Sequence, residues 1–435
     1  MYASLLRSRF AEARHRAWQA AVKRSGLFIT IAVAAILLLI GFALKERGHG
    51  HLSRIKAELG HSAAPRLPAA AKPGDQDAIV LSRSRTTGME MPEFLSATLL
   101  PGRGMNVLQI EAYIPRMGEV NLLASPPLNE AAKLLSGTGT DADGSASLTM
   151  GGAIEIPWAG RIRGAESANG LIVNWRGHRI NLPRSGEEGG HASGTVSTGG
   201  LLLKRPADSI KTTVMPDGGQ AQATYDAMDF DGHWLSRTQV TTTVQLSGRA
   251  LEISISAQNT GEQAEPIGIG WHTRFAILSK DRANALLKLP SALHEEIDRR
   301  SGMPSGRLLP VADTPYDFTG GSGARLGTMS LDDSFVHLKQ GLMDSGPVAE
   351  LRDPRSNYGL RITALSPAIK AMRVVAPADE SFVSIDPEFN FDDPFGREWE
   401  KGEDTGMVVL QPGQTVQWRV RLEIFPLTGK APGML

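Results

Sequence analysis

The chain has 435 residues, no cysteine, and 46 basic against 46 acidic side chains. Zero net charge gives no electrostatic reason to expect nucleic acid as a partner. The lack of cysteine excludes disulfides, thiol catalysis, a lipoprotein anchor and cysteine-ligated metal.

The N-terminal stretch is a different kind of sequence from the rest. Residues 26–44, from Gly26 to Leu44, carry no charge, and at about 1.5 Å per residue they cover close to the ~30 Å hydrocarbon core of a bilayer. A transmembrane helix is predicted there. Arg7, Arg9, Arg14, Arg16, Lys23 and Arg24 precede it with only Glu12 against them, so residues 1–25 form a basic segment on the cytoplasmic side. The apolar run exceeds an ordinary signal core and no small-x-small site closes it promptly, which favours a retained anchor over a cleaved leader. The expectation is a single-pass protein of a bacterial inner membrane, with everything after Lys45 in the periplasm. Residues 45–75 read as a linker, with three prolines between His61 and Asp75.

From Gln76 to Leu435 the pattern is strand-like almost throughout. Leu251–Ala257 and Val416–Ile424 alternate apolar and polar residues, as a strand with one buried face does. Leu171–Trp175 and Arg179–Leu182 read as a hairpin around Arg-Gly-His, with His178 exposed at its turn. Helical periodicity is confined to Ala283–Leu289 and Leu293–Asp298. Ser136–Gly152, rich in Gly, Ser and Asp, reads as an exposed loop. No second Pro-rich linker appears, so residues 76–435 are taken as one large antiparallel β-domain.

The most informative stretch runs from Gly270 to Phe335. It opens Gly270-Trp271-His272-Thr273-Arg274-Phe275 and continues through Pro304-Ser305-Gly306-Arg307 and Thr314-Pro315-Tyr316-Asp317-Phe318. It closes with Leu331-Asp332-Asp333-Ser334-Phe335. A histidine between large aromatics at a strand end is, by itself, more often a core residue than a catalyst. The ordered set, however, resembles the aldose 1-epimerases (galactose mutarotases). That family carries an Asn-His-Thr-Tyr-Phe-like segment, then a Pro-Thr-Gly turn, a Thr-Pro-Phe-Asp-Phe segment and a Leu-Asp-Asp/His-x-Phe segment. The resemblance implies an all-β fold, a large antiparallel β-sandwich whose concave face holds sugar. It also implies a reaction that opens the sugar ring with one general acid and one general base, without metal or cofactor.

Carried across, the resemblance makes His272 the acid. The family's strand ending in Glu-Pro corresponds to Val383-Ser384-Ile385-Asp386-Pro387-Glu388, so Asp386 stands where the family's Glu stands, one methylene shorter. Glu388 falls on the same face if the strand continues through Pro387; either carboxylate serves as base, or the two share the site. Arg161, in Pro157-Trp158-Ala159-Gly160-Arg161-Ile162, matches a sugar-binding Arg whose preceding Asn is here Gly160. His191, in Gly189-Gly190-His191, matches a substrate-contacting His. Asp332 matches the acidic residue that binds sugar hydroxyls, with Asp333 able to take that part. Trp158, Trp175 and Trp271 are either stacking platforms or core. The partner implied is a sugar or oligosaccharide, and the competing class is a non-catalytic carbohydrate-binding envelope protein on the same fold.

Overall fold

In a computed structural model of the chain, residues 71–86, 90–185 and 195–427 are described. The expected anchor, the cytoplasmic segment, most of the linker and His191 lie outside them. Among the described residues no helix is long and apolar enough to cross a membrane.

Alternation sorts the side chains of the strands into two faces, and the sheets follow from it. Gly218–Met228, Thr238–Leu246, Ala250–Asn259 and Thr415–Pro426 bury every second residue and lie in a nine-stranded sheet. Opposite it is a twelve-stranded sheet. Its middle runs, neighbour by neighbour, through Gly152–Glu155, Gly270–Thr273, Phe382–Glu388, Ala371–Ala376, Leu331–Val336 and Leu293–Asp298. The pairings are antiparallel. Between the sheets, Ile154, Trp271, Met372, Val374, Val383, Ile385 and Phe335 pack with Tyr225, Val240, Ile255, Leu360, Trp418 and Val420 in one buried cluster. Trp418 donates its indole N–H across the core to the carbonyl of Pro387 at 3.2 Å. Pro387 lacks only its own N–H, and the strand continues through it to Glu388. The fold is an all-β antiparallel sandwich.

The predicted hairpin forms between Gly170–Trp175 and His178–Leu182, with Arg176 and Gly177 both at positive φ, as a tight two-residue turn requires. Trp158 and Trp271 are fully buried and belong to the core.

Two expectations are corrected. Leu293–Asp298 is a strand, and Ala283–Leu289 divides into a 3-10 turn at Arg282–Asn284 and a strand at Leu286–Lys288. Pairing with Met303–Pro310 and Leu331–Val336 overrides a local helical pattern too short to hold alone. The segment from Ser136 to Gly152 is no exposed loop: it folds into 3-10 turns around Arg103. Arg103 is buried, pairs both oxygens of Asp141 at 2.9 and 2.8 Å, and donates to Ser147. Residues from Ala71 onward belong to one compact unit. Pro73 is buried, and the backbones of Gly74 and Gly102 approach so closely that a methyl on Gly74 would lie 1.9 Å from the Gly102 carbonyl oxygen.

Candidate active site

In the strand Phe382–Glu388 the odd positions Val383 and Ile385 face the core, which leaves Ser384, Asp386 and Glu388 on the opposite face of the sheet. These polar residues are buried all the same. A buried polar face needs partners, and the neighbouring strands supply them. Trp271 points into the core, so His272 points outward beside Asp386. His272 Nδ1 lies 2.8 Å from Asp386 Oδ2. Asp386 Oδ1 accepts the Thr273 N–H at 2.7 Å and the Thr273 hydroxyl at 3.2 Å. Asp386 is 0% exposed and the His272 side chain 16%. With Nδ1 committed to Asp386, Nε2 is the nitrogen left to meet a ligand.

Two strands further along, Arg373 lies opposite Asp386 and donates to Asp332 from Nε at 3.1 Å and Nη2 at 2.6 Å. Arg161 reaches the other Asp332 oxygen at 3.3 Å and binds Asp392 through Nε at 2.8 Å. The structure therefore brings His272, Asp386, Glu388, Arg161 and Asp332 onto one sheet face. Asp333 turns away toward His294, 3.9 Å distant, and Tyr316 stacks on that histidine at 4.2 Å. The Thr314–Phe318 segment therefore lies beside His294, on the side to which Asp333 turns.

Residues 132–423, well over half of the chain, match the family described as Aldose 1-epimerase. The chain belongs to the aldose 1-epimerase family. No curated protein matches the chain as a relative. Among solved structures, it is similar to a galactose mutarotase-like protein from Clostridium acetobutylicum at 14% identity and a TM-score of 0.62, over 80% of this chain and 98% of that one. A putative aldose 1-epimerase from Escherichia coli K12 aligns at 14% identity and TM-score 0.56, over 80% and 100%. A galactose 1-epimerase from Lactobacillus acidophilus aligns at 15% and 0.55, over 80% and 99%. At these identities the structures show the shared fold, and the family match shows an enzyme of the isomerase class.

The departures of this family member from the family pattern have physical reasons. Gly160 replaces an Asn and has φ +65°, a conformation that Gly adopts freely and Asn tolerates better than most. A methyl there would lie 3.1 Å from Asp392 Oδ1 and 3.4 Å from Arg373 Nη1, so the backbone runs directly against the charged cluster.

Glu155 is a site residue that sequence reasoning missed. It lies in Gly152–Glu155, directly opposite Gly270, and Gly270 is in turn opposite Glu388. Gly270 is the gap that admits both carboxyls: a methyl there would lie 3.1 Å from Glu155 Oε2, 3.2 Å from Glu388 Cγ and 2.6 Å from Ala159 Cβ. Gly270→Ala is expected to cost about 1–3 kcal/mol through overpacking and to force the carboxyls apart; urea unfolding measures it. The signal for Glu155 was a lone carboxyl between Ile154 and Ile156 in an apolar run. Arg373, between Met372 and Val374, carried the same signal.

Burial decides the ionisation of these groups. It pushes Glu155 up to about 7, with the nearby His272 pulling against it. Burial, reinforced by Glu155, raises Glu388 well above the usual carboxylate range although Arg373 opposes this; among the described residues neither Glu388 oxygen has a hydrogen-bond partner. Burial works against a charged imidazole at His272, but Asp386 and then Glu155 outweigh it and hold the histidine above its ordinary value. Elsewhere, burial lifts Asp333 to about 6 and both Glu265 and Asp393 to about 8.

The consequence for stability has a definite sign. A carboxyl whose folded pKa exceeds its unfolded one binds more protons when folded, so stability falls as pH rises between the two values. His272, also raised, contributes in the same direction, losing its stabilisation as pH rises through its folded pKa. Each tenfold change in proton affinity is worth about 1.4 kcal/mol. The chain is expected to be several kcal/mol more stable near pH ~5.5 than near pH ~8.5, which thermal unfolding at the two pH values checks.

Proposed function

We propose that the chain interconverts the α and β anomers of a sugar by acid/base ring opening, in the periplasm of a membrane-anchored protein. The observation that supports it most is the His272–Asp386 pair on a polar sheet face that also carries Arg161 and Asp332. His272, as imidazolium, gives the proton on Nε2 to the ring oxygen. Asp386 has every oxygen engaged by His272 and Thr273, so it orients the imidazole and stabilises its charge. The proton of the C1 hydroxyl goes to the ionised form of Glu388, which burial makes a stronger base than an ordinary carboxylate and which Arg373 keeps accessible. Rotation about C1–C2 and reclosure return both protons. Arg161, Asp332 and His191 hold the sugar hydroxyls. Gly160 leaves room beside Glu388, where a methyl would lie 3.8 Å from Oε2.

Polarimetry of freshly dissolved α-D-galactose and α-D-glucose tests the reading, with the chain from Ala71 onward as the protein. Acceleration over the spontaneous rate is expected. Glu388→Gln should remove it, by about 100-fold or more, whereas Asp386→Asn should leave a residual rate with the pH dependence of a weaker imidazole base. Loss in Asp386→Asn with full activity in Glu388→Gln would move the base to Asp386. Sugar binding without acceleration would give the site a binding role alone.

A further inference from the structure

The ionisable side chains of the site pair off with a remainder. His272 is bonded to Asp386, Arg161 to Asp392 and Arg373 to Asp332, three cations with three carboxylates. Glu155, Glu388 and, behind Asp392, Glu295 are left over. Glu155 and Glu388, the two nearest His272 along the sheet, are buried. Among the described residues, Glu155 accepts only a long bond from the Gly160 N–H, at 3.4 Å. The strand carrying His272 has Glu155 on the neighbouring strand to one side and Asp386 on the neighbour to the other. The imidazole is therefore flanked by two carboxyls, one bonded to it and one not. The charged groups that act on His272 are Asp386 and Glu155, which favour the imidazolium, and Arg373, which opposes it. Those that act on Glu155 are His272, Asp386 and Arg373, with Glu388 facing it across Gly270.

We propose that Glu155 is a positioning residue whose carboxylate keeps the His272 imidazole protonated on the alkaline side of neutrality. The inference rests on the reading of His272 as the acid. Below neutrality Glu155 is itself protonated, and Asp386 alone holds the imidazolium. As the solution becomes alkaline Glu155 gives up its proton, and a negative charge appears near the imidazole just when solvent would strip it. The proton affinity of His272 rises in step, so the acid form persists where an ordinary histidine is neutral. Glu155 touches no reacting atom in this scheme; it acts through His272.

The test uses the full-length chain in detergent, with the imidazole nitrogens followed by NMR and His272 identified by its loss in H272Q. In the wild type the His272 signals should show an inflection near pH ~7, from Glu155, before the imidazole's own titration. In Glu155→Gln, neutral and of the same shape, that inflection should vanish and the His272 midpoint should fall by about one pH unit, a tenfold loss of proton affinity. The alkaline limb of kcat should move down with it while KM is unaltered. Glu155→Asp, which keeps the charge, should restore most of the midpoint. An unmoved midpoint in Glu155→Gln, or no early inflection in the wild type, overturns the proposal. The wild-type inflection needs no variant to fold. The titration also needs no turnover, so a chain without anomerisation would refute the proposed reaction while the role of Glu155 is still decided.

Discussion

Exchange of His272 for Gln is expected to lower catalysed anomerisation of α-D-galactose and α-D-glucose by about 100- to 10,000-fold, the range for removal of a general acid. The chemistry requires a group that delivers a proton near neutral pH and takes it back on reclosure. His272 is held above its ordinary pKa by Asp386 and Glu155, against the effect of burial, so it is charged where the reaction needs an acid. Glutamine has a similar reach and retains an amide that can donate to Asp386, and Thr273 continues to donate to the other oxygen. The fold should therefore survive, with a melting temperature close to that of the parent chain. A rate unchanged from the parent by polarimetry would remove His272 from the mechanism.

Replacing Arg373 with Ala is expected to be the most damaging single change to stability, about 3–5 kcal/mol by urea unfolding, as when one member of a buried ion pair is removed. Arg373 is buried, with its side chain 11% exposed, and donates twice to Asp332. Asp332 is its largest electrostatic partner, followed by Asp392 and Glu388. Its loss leaves Asp332 and Asp392 their bonds to Arg161, and removes the group that opposes protonation of Glu388. Asp332, with its side chain 32% exposed, recovers part of the loss through solvent, which places the cost toward the lower end of that range. Anomerisation should fall too, since the sugar-facing carboxylate loses its support. A variant as stable as the parent would show that solvent, and not Arg373, compensates this cluster.

Much of the architecture was readable along the chain because strand alternation is a local property. Leu251–Ala257, Val416–Ile424 and the hairpin at Arg176-Gly177 each carry their own pattern, and each forms the strand or turn that pattern requires. Leu293–Asp298 misled for the same reason: six residues fit a helix or a strand, and only the two strands that flank it decide. His272 was legible through the order of the segments around it, since family motifs are linear.

What the sequence determined by itself is the alternation that builds the two sheets and the identity of the residues on the polar face of the Phe382–Glu388 strand. Which partners each carboxyl meets was decided by the tertiary structure. Asp386 and Glu388 sit two residues apart on one face, yet one is bonded to His272 and the other, among the described residues, has no hydrogen-bond partner, because different parts of the neighbouring strand lie against them. Glu155 joined the site only when its strand paired beside Gly270. The physical reason is that pairing across strands sets both distance and burial, and burial, more than any neighbour in sequence, fixes whether a carboxyl holds its proton.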